Sequence, residues 1–360
     1  MAQTIDVAGS AEAREKLDIH LREIIKWHFS EETGCNFWLN WKKAAGWDPI
    51  KEVQTFADIN KFPHFQDEWL RDVTNNEWVP KKYEGKPFKI FETGGTTGIP
   101  KQRIAWEDHL HDYSEFSETL EDEYFPKGGN WLMVGPTGPR RLRLAIEHLA
   151  NVRGGSCYFV DMDPRFVKKL ISDGQYDVAN KYKQHVVDQA IAILKNRPVS
   201  SLFTTPKILE SMGERYDIAC LGIKGCFCGG TSMTPQLLRF LQEEVLGPNG
   251  KLVPTYGNTL MGLACSEDNL AESGYNVVYH APQPRAVLRI VNPDKTEEVV
   301  EYDEWGRVEL TTLTKEIFVP RFLERDEALR CKPTERWPWD GVGGVRPFGA
   351  SKTKIVEGVY

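Results

Sequence analysis

The segment from Glu92 to Lys101 reads ETGGTTGIPK and follows directly on the apolar run FKIF at residues 88–91. Its glycines permit backbone conformations that other residues avoid, so successive N–H groups can converge on one anion, while the threonine hydroxyls and Lys101 add donors and a charge. We therefore expect a phosphate site formed by Thr93, Gly94, Gly95, Thr96, Thr97, Gly98 and Lys101. A solvent-exposed hairpin turn is the alternative, and the closing Pro-Lys favours the phosphate site.

Short apolar runs alternate with longer helical patterns on either side of this segment. The predicted strands are Phe88–Phe91, Trp131–Val134, Cys157–Val160, Leu202–Thr204, Lys224–Cys228 and Leu252–Thr255. The predicted helices lie at 11–29 and near 106–124, 140–151, 178–195, 206–215 and 234–245. Several of these helices open with proline, which suits a first helical turn. The alternation of strands and helices predicts an α/β fold with a parallel sheet.

From about residue 275 the pattern changes to β-rich pieces separated by Pro, Asn, Asp and Gly. These pieces are Asn276–His280, Ala286–Val291, Glu298–Tyr302 and Arg307–Thr311. We therefore expect an α/β part over residues 1–270, a smaller β-rich subdomain over 271–330, and a tail over 331–360.

Composition excludes several classes of protein. The formal net charge is −7, from 45 Lys and Arg against 52 Asp and Glu, so the surface offers no general attraction for nucleic acid or anionic lipid. A hydrophobic content of 41% excludes a mainly disordered chain. The seven cysteines lack paired CxxC spacing, and the start of the chain lacks a signal-peptide pattern. We expect reduced thiols and a cytoplasmic protein without nucleic-acid or membrane partners.

The stretch TGGTTGIPK resembles the phosphate-loop signature of the adenylate-forming superfamily, which includes acyl-CoA synthetases, peptide-synthetase adenylation domains and luciferase. Further matches follow in the order of that superfamily. Cys228-Gly229-Gly230-Thr231 resembles its adenine platform, and Tyr256-Gly257-Asn258-Thr259 resembles its YGxT element. The segment VELTTLTKEIFVPRFLERDEALR, residues 308–330, is similar to the part of phenylacetate-CoA ligase that ends at a ribose-binding aspartate, here Asp326.

The resemblance implies the N-terminal-domain fold of that superfamily, with αβ-layered sheets and a small β-rich subdomain, and ATP as the cofactor. Lys101 and its loop would hold the β- and γ-phosphates, Thr259 the α-phosphate, and Tyr256 would stack on adenine. Asp326 would accept the ribose hydroxyls. The remaining nucleotide-binding residues implied are Gly229, Gly230, Thr231, Gly257 and Asn258. A core tyrosine and a surface aspartate are the alternatives for Tyr256 and Asp326.

The chain departs from the superfamily at three places. Leu260 stands where the YGxT element continues with a glutamate that ligates Mg²⁺, and a leucine cannot ligate a hard cation. Mg²⁺ is therefore expected to bind through ATP oxygens and water. Ala350 replaces the arginine of the hinge signature, and the chain ends at Tyr360, where relatives begin a mobile C-terminal domain. We expect that domain to be absent, which gives little support to a thioester-forming half-reaction.

Within the superfamily the chain resembles the phenylacetate-CoA ligase branch. Nearly its whole length also resembles the truncated adenylating proteins of phenazine antibiotic biosynthesis, in the griseoluteic acid pathway. This implies ATP-dependent activation of an aromatic carboxylic acid, such as a phenazine carboxylate, to an acyl-adenylate that passes to a downstream reductase or another acyl acceptor. Two alternatives are a non-catalytic pseudoenzyme that binds nucleotide or aromatic acid, and an aryl-CoA ligase.

The acyl pocket of relatives lies after the strand WLMV of this chain. The candidate substrate-binding residues there are Gly135, Thr137 and Gly138, whose small size would admit a broad planar ring. A plain turn is the alternative.

Overall fold

The computed structural model describes residues 10–93, 99–138, 141–230, 233–268 and 270–349. The strands are β1 Lys89–Glu92, β2 Gln102–Ala105, β3 Asn130–Gly135, β4 Cys157–Asp161, β5 Val199–Thr204, β6 Gly225–Cys228, β7 Lys251–Asn258, β8 Gly262–Ser266, β9 Val278–His280, β10 Ala286–Asn292, β11 Lys295–Val299, β12 Trp305–Leu313, β13 Phe318–Cys331 and β14 Gly341–Pro347. The helices are α1 Ala11–Phe29, α2 Asn36–Ala45, α3 Pro49–Glu52, α4 Trp69–Asp72, α5 Asp108–Thr119, α6 Arg141–Val152, α7 Pro164–Ser172, α8 Tyr176–Asn196, α9 Pro206–Gly213 and α10 Pro235–Phe240. Short 3₁₀ turns lie at Phe56–Lys61, Asn75–Trp78, Lys81–Tyr83 and Ala219–Leu221, and a π-helical turn, Leu241–Leu246, continues α10.

Within the described ranges, twelve strands form one sheet in the order β11-β10-β12-β13-β14-β9-β8-β7-β6-β5-β3-β4. Strands β7, β6, β5, β3 and β4 pair in parallel, as expected for strands joined by helical crossovers. The strands from β8 to β14 pair antiparallel. β7 belongs to both halves, because it pairs in parallel with β6 and antiparallel with β8.

The structure confirms the helix predicted at 11–29 and the parallel strands to within a few residues. The strand predicted at Phe88–Phe91 exists as β1, but it pairs antiparallel with β2 in a separate hairpin. The strand predicted at Glu298–Tyr302 lies three residues earlier, as β11 Lys295–Val299. The Asn292 side chain accepts hydrogen bonds from the N–H groups of Asp294 and Lys295, and this tight turn lets β11 begin directly after it.

Four strands, β2, β8, β13 and β14, have no counterpart among the sequence predictions. β13 mixes apolar and charged residues in an irregular order, and β14 begins with Gly-Val-Gly-Gly, which is typical of a turn. β14 lies between β13 and β9, so part of the expected tail contributes a strand to the sheet.

An aromatic cluster joins the first two helices to β13. The ring of Phe318 lies 5.8 Å from that of Phe29, 5.2 Å from Trp38 and 5.3 Å from Phe62, measured between ring centroids. All four side chains are buried. Packing of this kind adds specific edge and stacking geometry to the burial of apolar area, and it gives the amphipathic helix α1 its buried face.

Among the described residues, no helix combines the length and the apolar character that crossing a membrane would need. The cysteines lie in the described part of the chain, and all seven are free thiols.

Asp112 of α5 is a buried carboxylate shared by two arginines. Arg141 Nη2 lies 2.7 Å from Oδ2, and Arg285 Nη1 lies 2.7 Å from Oδ1. Gly262 of β8 packs against this group, because a Cβ atom there would lie 2.5 Å from Asp112 Oδ2, and its φ of +108° is a conformation that glycine adopts without strain. The network therefore fixes α5 and α6 against the turn between β7 and β8.

Removal of the Asp112 carboxylate should destabilise the fold strongly. Asp112→Ala leaves buried arginine charge without its partner, which costs about 3–5 kcal/mol. Urea denaturation measures this loss. The matched control is Glu115→Gln, because Glu115 binds the same Arg285 from a side chain that is 64% exposed, and it should change stability by less than about 1 kcal/mol. Equal effects of the two substitutions would contradict the prediction.

Candidate active site

The Gly/Thr segment connects β1 to β2, which pair with Glu92 opposite Gln102. Thr93 N donates to Lys101 O at 3.0 Å, and Lys101 N donates to Thr93 Oγ1 at 3.1 Å. These two bonds close the base of the loop, so the Thr93 hydroxyl has a structural use. Gly94, Gly95, Thr96, Thr97 and Gly98 lie outside the described residues.

The Lys101 side chain points toward β13, and the region between the Gly/Thr loop, β7 and β13 is called the cleft below. Its Nζ lies 2.9 Å from Asp67 Oδ1 and 4.5 Å from the centroid of the Phe322 ring on β13. Only 11% of the Lys101 side chain is exposed. The lysine that ends the loop therefore faces β13 and is largely shielded from solvent.

Tyr256 of β7 and Asp326 of β13 are joined by a hydrogen bond. The phenol donates to Asp326 Oδ2 at 2.8 Å. Burial, together with the nearby charge of Asp326, raises the pKa of Tyr256 well above its ordinary value, so the phenol keeps its proton and remains a donor. The structure thus brings together the residues expected at adenine and at ribose.

Glu324 lies two residues before Asp326, so the two carboxylates face the same side of β13. Asn258 Nδ2 donates to Glu324 Oε1 at 2.7 Å. Part of the side chain is accessible in the cleft, but burial of the carboxyl group, with the charge of Asp326, raises the pKa of Glu324 to about 7. Lys101, whose Nζ lies 4.5 Å from the centroid of the Phe322 ring two residues earlier on β13, lowers this pKa by its positive charge.

Sequence reasoning missed Glu324. The available signal was the spacing Glu-x-Asp in a strand, which puts two acids on one face, but β13 was not recognised as a strand. Together, Lys101, Tyr256, Asn258, Glu324 and Asp326 line one cleft between the hairpin, β7 and β13.

Thr259 lies in the turn after β7, and this turn is tied to the hairpin. Arg103 Nη1 of β2 donates to the carbonyl oxygens of Thr259 and Leu260, at 2.9 and 2.8 Å. Arg103 Nη2 is held in turn by Asp108 Oδ2 at 2.6 Å. The backbone of Thr259 is therefore anchored beside the strand that follows the loop. The Leu260 side chain is 2% exposed and packs in the core.

Gly229 and Gly230 follow β6, and each position favours glycine for its own reason. A Cβ atom at Gly229 would lie 2.9 Å from Thr255 Oγ1, and Gly230 has a φ of +94°. The Thr255 hydroxyl donates to Cys228 O at 2.9 Å, so this bare backbone lies beside the residue that precedes Tyr256. Thr231 lies outside the described residues.

Gly257 and Asn258 shape the end of β7. A Cβ atom at Gly257 would approach the carbonyl oxygen of Gly262 to 2.4 Å, so only glycine permits this close pairing with β8. Asn258 Oδ1 accepts from the N–H groups of Leu260 and Met261, at 2.9 and 2.8 Å. Both residues thus have structural uses that account for their presence. Their roles toward a nucleotide stay predictions.

The candidate acyl-pocket residues lie at the end of β3. A Cβ atom at Gly135 would make ordinary contact with the Phe203 ring at 3.5 Å, and one at Gly138 would meet nothing within 4 Å. Thr137 N and Oγ1 donate to Asp161 Oδ1 at 2.9 and 2.5 Å, which ties this turn to β4. These contacts suit a turn as well as a pocket, so the assignment of Gly135, Thr137 and Gly138 to substrate stays a prediction.

No group of three or more His, Cys, Asp or Glu side chains in the described ranges could hold a metal ion. Cys226 Sγ lies 3.7 Å from Cys228 Sγ, and both thiols are buried, which confirms that they share one face of β6. Cys220 is exposed and donates to Asp217.

The fold has counterparts among solved structures. A structure of 2-hydroxyisobutyryl-CoA ligase in the postadenylation state, in complex with R3-HIB-AMP, matches with a TM-score of 0.67 at 12% identity, over 93% of this chain and 67% of that chain. The chain has the fold of this ligase. The ligase with 2-HIB-AMP and CoA in the thioesterification state gives 0.68 at 14% identity, over 94% of this chain and 69% of the ligase. An open conformation with 2-HIB-AMP and CoA gives 0.65 at 13% identity, over 94% and 75%.

The expectation of an α/β adenylate-forming fold is confirmed by this likeness. No protein-family model and no curated protein sequence matches the chain. At such low identity the likeness concerns the fold, and the roles of individual side chains depend on the contacts of this chain itself.

The raised pKa of Glu324 predicts a pH-dependent stability. Between its ordinary value of 4.5 and about 7, the folded chain holds a proton that the unfolded chain has released, so stability falls as pH rises through this window and stays reduced above it. Glu324→Gln should therefore stabilise the fold at pH 8 by roughly 1–3 kcal/mol and leave it nearly unchanged at pH 4.5, where the carboxyl group is protonated.

Urea denaturation at the two pH values measures this difference. Glu335→Gln, at an exposed position, is the matched control and should show no gain at either pH. A Glu324→Gln protein that is less stable than the parent at pH 8 would show that the ionised carboxylate stabilises the cleft.

Proposed function

We propose that the chain activates a carboxylic acid with ATP, forming an acyl-adenylate and pyrophosphate. The observation that carries this proposal is the 2.8 Å bond between Tyr256 and Asp326, in the same cleft as Lys101. Residues from the hairpin, β7 and β13 converge there although they are separated by up to 225 positions, from Lys101 to Asp326. The solved ligase of the same fold carries acyl-AMP ligands, R3-HIB-AMP and 2-HIB-AMP.

Each residue has a role toward the nucleotide that follows from its chemistry. The Asp326 carboxylate accepts the ribose hydroxyls, and the bond from Tyr256 fixes its orientation. The Tyr256 ring offers an apolar face to adenine, and the bare backbone at Gly229 and Gly230 lets a planar base approach closely. Lys101 and its loop hold the β- and γ-phosphates, and Thr259 contacts the α-phosphate.

In the proposed reaction the acid carboxylate attacks the α-phosphorus, and pyrophosphate leaves. Both reactants are anions, so the site has to align them and neutralise charge, and it needs no nucleophilic side chain. Lys101 supplies positive charge at the leaving pyrophosphate. The hydrogen bonds from Arg103 hold the Thr259 turn in place while the α-phosphorus forms its bond to the carboxylate and loses its bond to pyrophosphate.

Mg²⁺ bound with ATP would neutralise phosphate charge. Leu260 is buried and has no side-chain oxygen, although it occupies the position where the superfamily resemblance implies a glutamate ligand to Mg²⁺. The ion would therefore be held by phosphate oxygens and water. Lys101 would then carry a larger share of the charge neutralisation than the lysine of a site with a protein-bound metal ion.

The acid is proposed to be aromatic, such as a phenazine carboxylate, and the acyl group to pass to a downstream reductase or another acceptor in the cytoplasm. The support is the sequence resemblance of residues 308–330 to the phenylacetate-CoA ligase branch. The turn at Gly135, Thr137 and Gly138 would border the aromatic ring.

Acid-dependent exchange of pyrophosphate into ATP tests this function. Purified protein is incubated with ATP, labelled pyrophosphate and one acid at a time, with phenazine carboxylate and phenylacetate as aromatic acids and 2-hydroxyisobutyrate as the aliphatic comparison. We expect exchange that depends on an aromatic acid, together with an acyl-AMP mass in the product. Binding of ATP and acid without exchange would favour the pseudoenzyme, and thioester formation on addition of CoA would favour the aryl-CoA ligase.

The variant Lys101→Ala provides the internal check on that assay. It should reduce exchange at least about 100-fold, because a charge-assisted contact is lost where charge develops. Lys86→Ala removes an exposed lysine just before the same hairpin and should leave exchange unchanged. Loss of exchange in both variants would point to the hairpin's stability instead of to phosphate binding.

The ribose role of Asp326 predicts a specific substrate preference. The parent protein should use ATP better than 2′-deoxy-ATP by roughly 10- to 100-fold, since a hydrogen bond to a charged acceptor contributes about 1.5–3 kcal/mol. Asp326→Asn should lose most of that preference. The ratio of kcat/KM for the two nucleotides measures it.

Glu327→Gln is the matched control, because adjacent residues of a strand face opposite sides. It should keep the parent's preference. If the parent protein uses ATP and 2′-deoxy-ATP equally well, the assignment of Asp326 to the ribose hydroxyls is wrong.

A further inference from the structure

Asp67 precedes α4 and, among the described side chains, accepts hydrogen bonds from three cations. Its Oδ1 lies 2.9 Å from Lys101 Nζ. Its Oδ2 lies 3.0 Å from Arg71 Nη2 and 3.3 Å from Arg325 Nη2. The cations come from α4, the start of β2 and β13, so one carboxylate gathers positive charge from three elements.

This cluster is shielded more than an ordinary surface ion pair. The exposed fractions are 11% for the Lys101 side chain, 16% for Arg71 and 23% for Asp67, whereas Arg325, at 49%, lies at the solvent-facing edge of the cluster. Burial by itself would raise the pKa of Asp67, but the bonds from Lys101 and Arg71 hold it below its ordinary value. Asp67 therefore stays ionised in the cluster at neutral pH.

The cluster also contacts the end of the Gly/Thr loop. Arg71 Nε donates to Ile99 O at 2.9 Å, which fixes the end of the Gly/Thr loop. Arg325 directly precedes Asp326, the candidate ribose ligand.

We propose that Asp67 is an autoinhibitory counter-anion, and that a polyphosphate has to displace it from Lys101 in order to bind. This inference rests on the proposed function, because it assigns Lys101 to phosphate. The carboxylate occupies a hydrogen-bonding position on Nζ that a phosphate oxygen would take, and its negative charge opposes the approach of an anion. Asp67 thereby keeps Lys101, Arg71 and Arg325 assembled and at the same time lowers the affinity of Lys101 for phosphate.

The test measures the binding of inorganic tripolyphosphate to the full chain by calorimetry. Asp67→Asn removes the charge and keeps the shape of the side chain. It should bind tripolyphosphate about 5- to 20-fold more tightly than the parent, within the range of measured coupling between sites. The matched control is Asp72→Asn, which removes the same charge from an exposed position of α4 and should change the affinity less than about twofold.

A second pair of variants tests whether the effect acts through Lys101. In a Lys101→Ala background, Asp67→Asn should change the affinity less than about twofold, because the group that Asp67 restrains is gone. If Asp67→Asn does not fold, as judged by thermal unfolding, Asp67→Ser removes the same charge and has the same expected result.

Three outcomes would overturn the proposal. The first is unchanged or weaker binding in Asp67→Asn, which would make Asp67 a purely structural bridge. The second is equal tightening in Asp72→Asn, which would reduce the effect to general charge. The third is the absence of tripolyphosphate binding in every variant.

The failure of this inference is distinguishable from the failure of the proposed function. Acid-dependent exchange in the parent, together with no tightening in Asp67→Asn, contradicts the counter-anion alone. Tightening of tripolyphosphate binding without any acid-dependent exchange supports the counter-anion and contradicts the adenylation reaction.

Discussion

The hydrogen bond between Tyr256 and Asp326 imposes a constraint on the whole sheet. β7 and β13 are four places apart in its order, which would separate them by about 19 Å in a flat sheet. Two side chains cannot bridge that distance, so the antiparallel half has to curve until the two strands face each other. Its ladders show the means: register shifts interrupt the pairing of β13 with both neighbours, and Arg321 within β13 has a φ of +49°.

The cleft contains carboxylates and cations at separate places. Glu324 and Asp326 lie near each other on β13, and burial together with the charge of Asp326 raises the pKa of Glu324. Asp67 adds a third carboxylate, held by Lys101, Arg71 and Arg325. A triphosphate approaching this cleft meets positive charge at the end of the Gly/Thr loop and negative charge beside Tyr256. That polarity suits a nucleotide whose phosphates point toward the loop and whose ribose hydroxyls point toward the carboxylates.

Local patterns in the sequence predicted what local physics determines. Proline at helix starts and apolar runs of fixed spacing located the parallel strands. The contact of Gly229 with the Thr255 hydroxyl was not predicted, because it joins two strands that lie apart in the sequence. β13 was not predicted as a strand because contacts with distant parts of the chain bury it, while its own sequence lacks a regular apolar period. Phe318, for example, packs on Phe29 and Trp38, which lie 289 and 280 residues earlier. Asp67 and Glu324 were not predicted as site residues for the same reason, because the sequence around an acidic residue does not show which cation or amide it will contact in the fold.

Asn258 shows how the turn that carries Thr259 is coupled to the acidic side of the cleft. Its Oδ1 is committed to the N–H groups of Leu260 and Met261, which fixes the orientation of the amide. Nδ2 then has to point toward Glu324, whose carboxyl oxygen accepts from it. A carboxyl group can accept this bond in either protonation state, so the turn keeps its geometry while the charge of Glu324 changes. The arrangement separates the shape of the site from its charge, and only the charge responds to pH near neutrality.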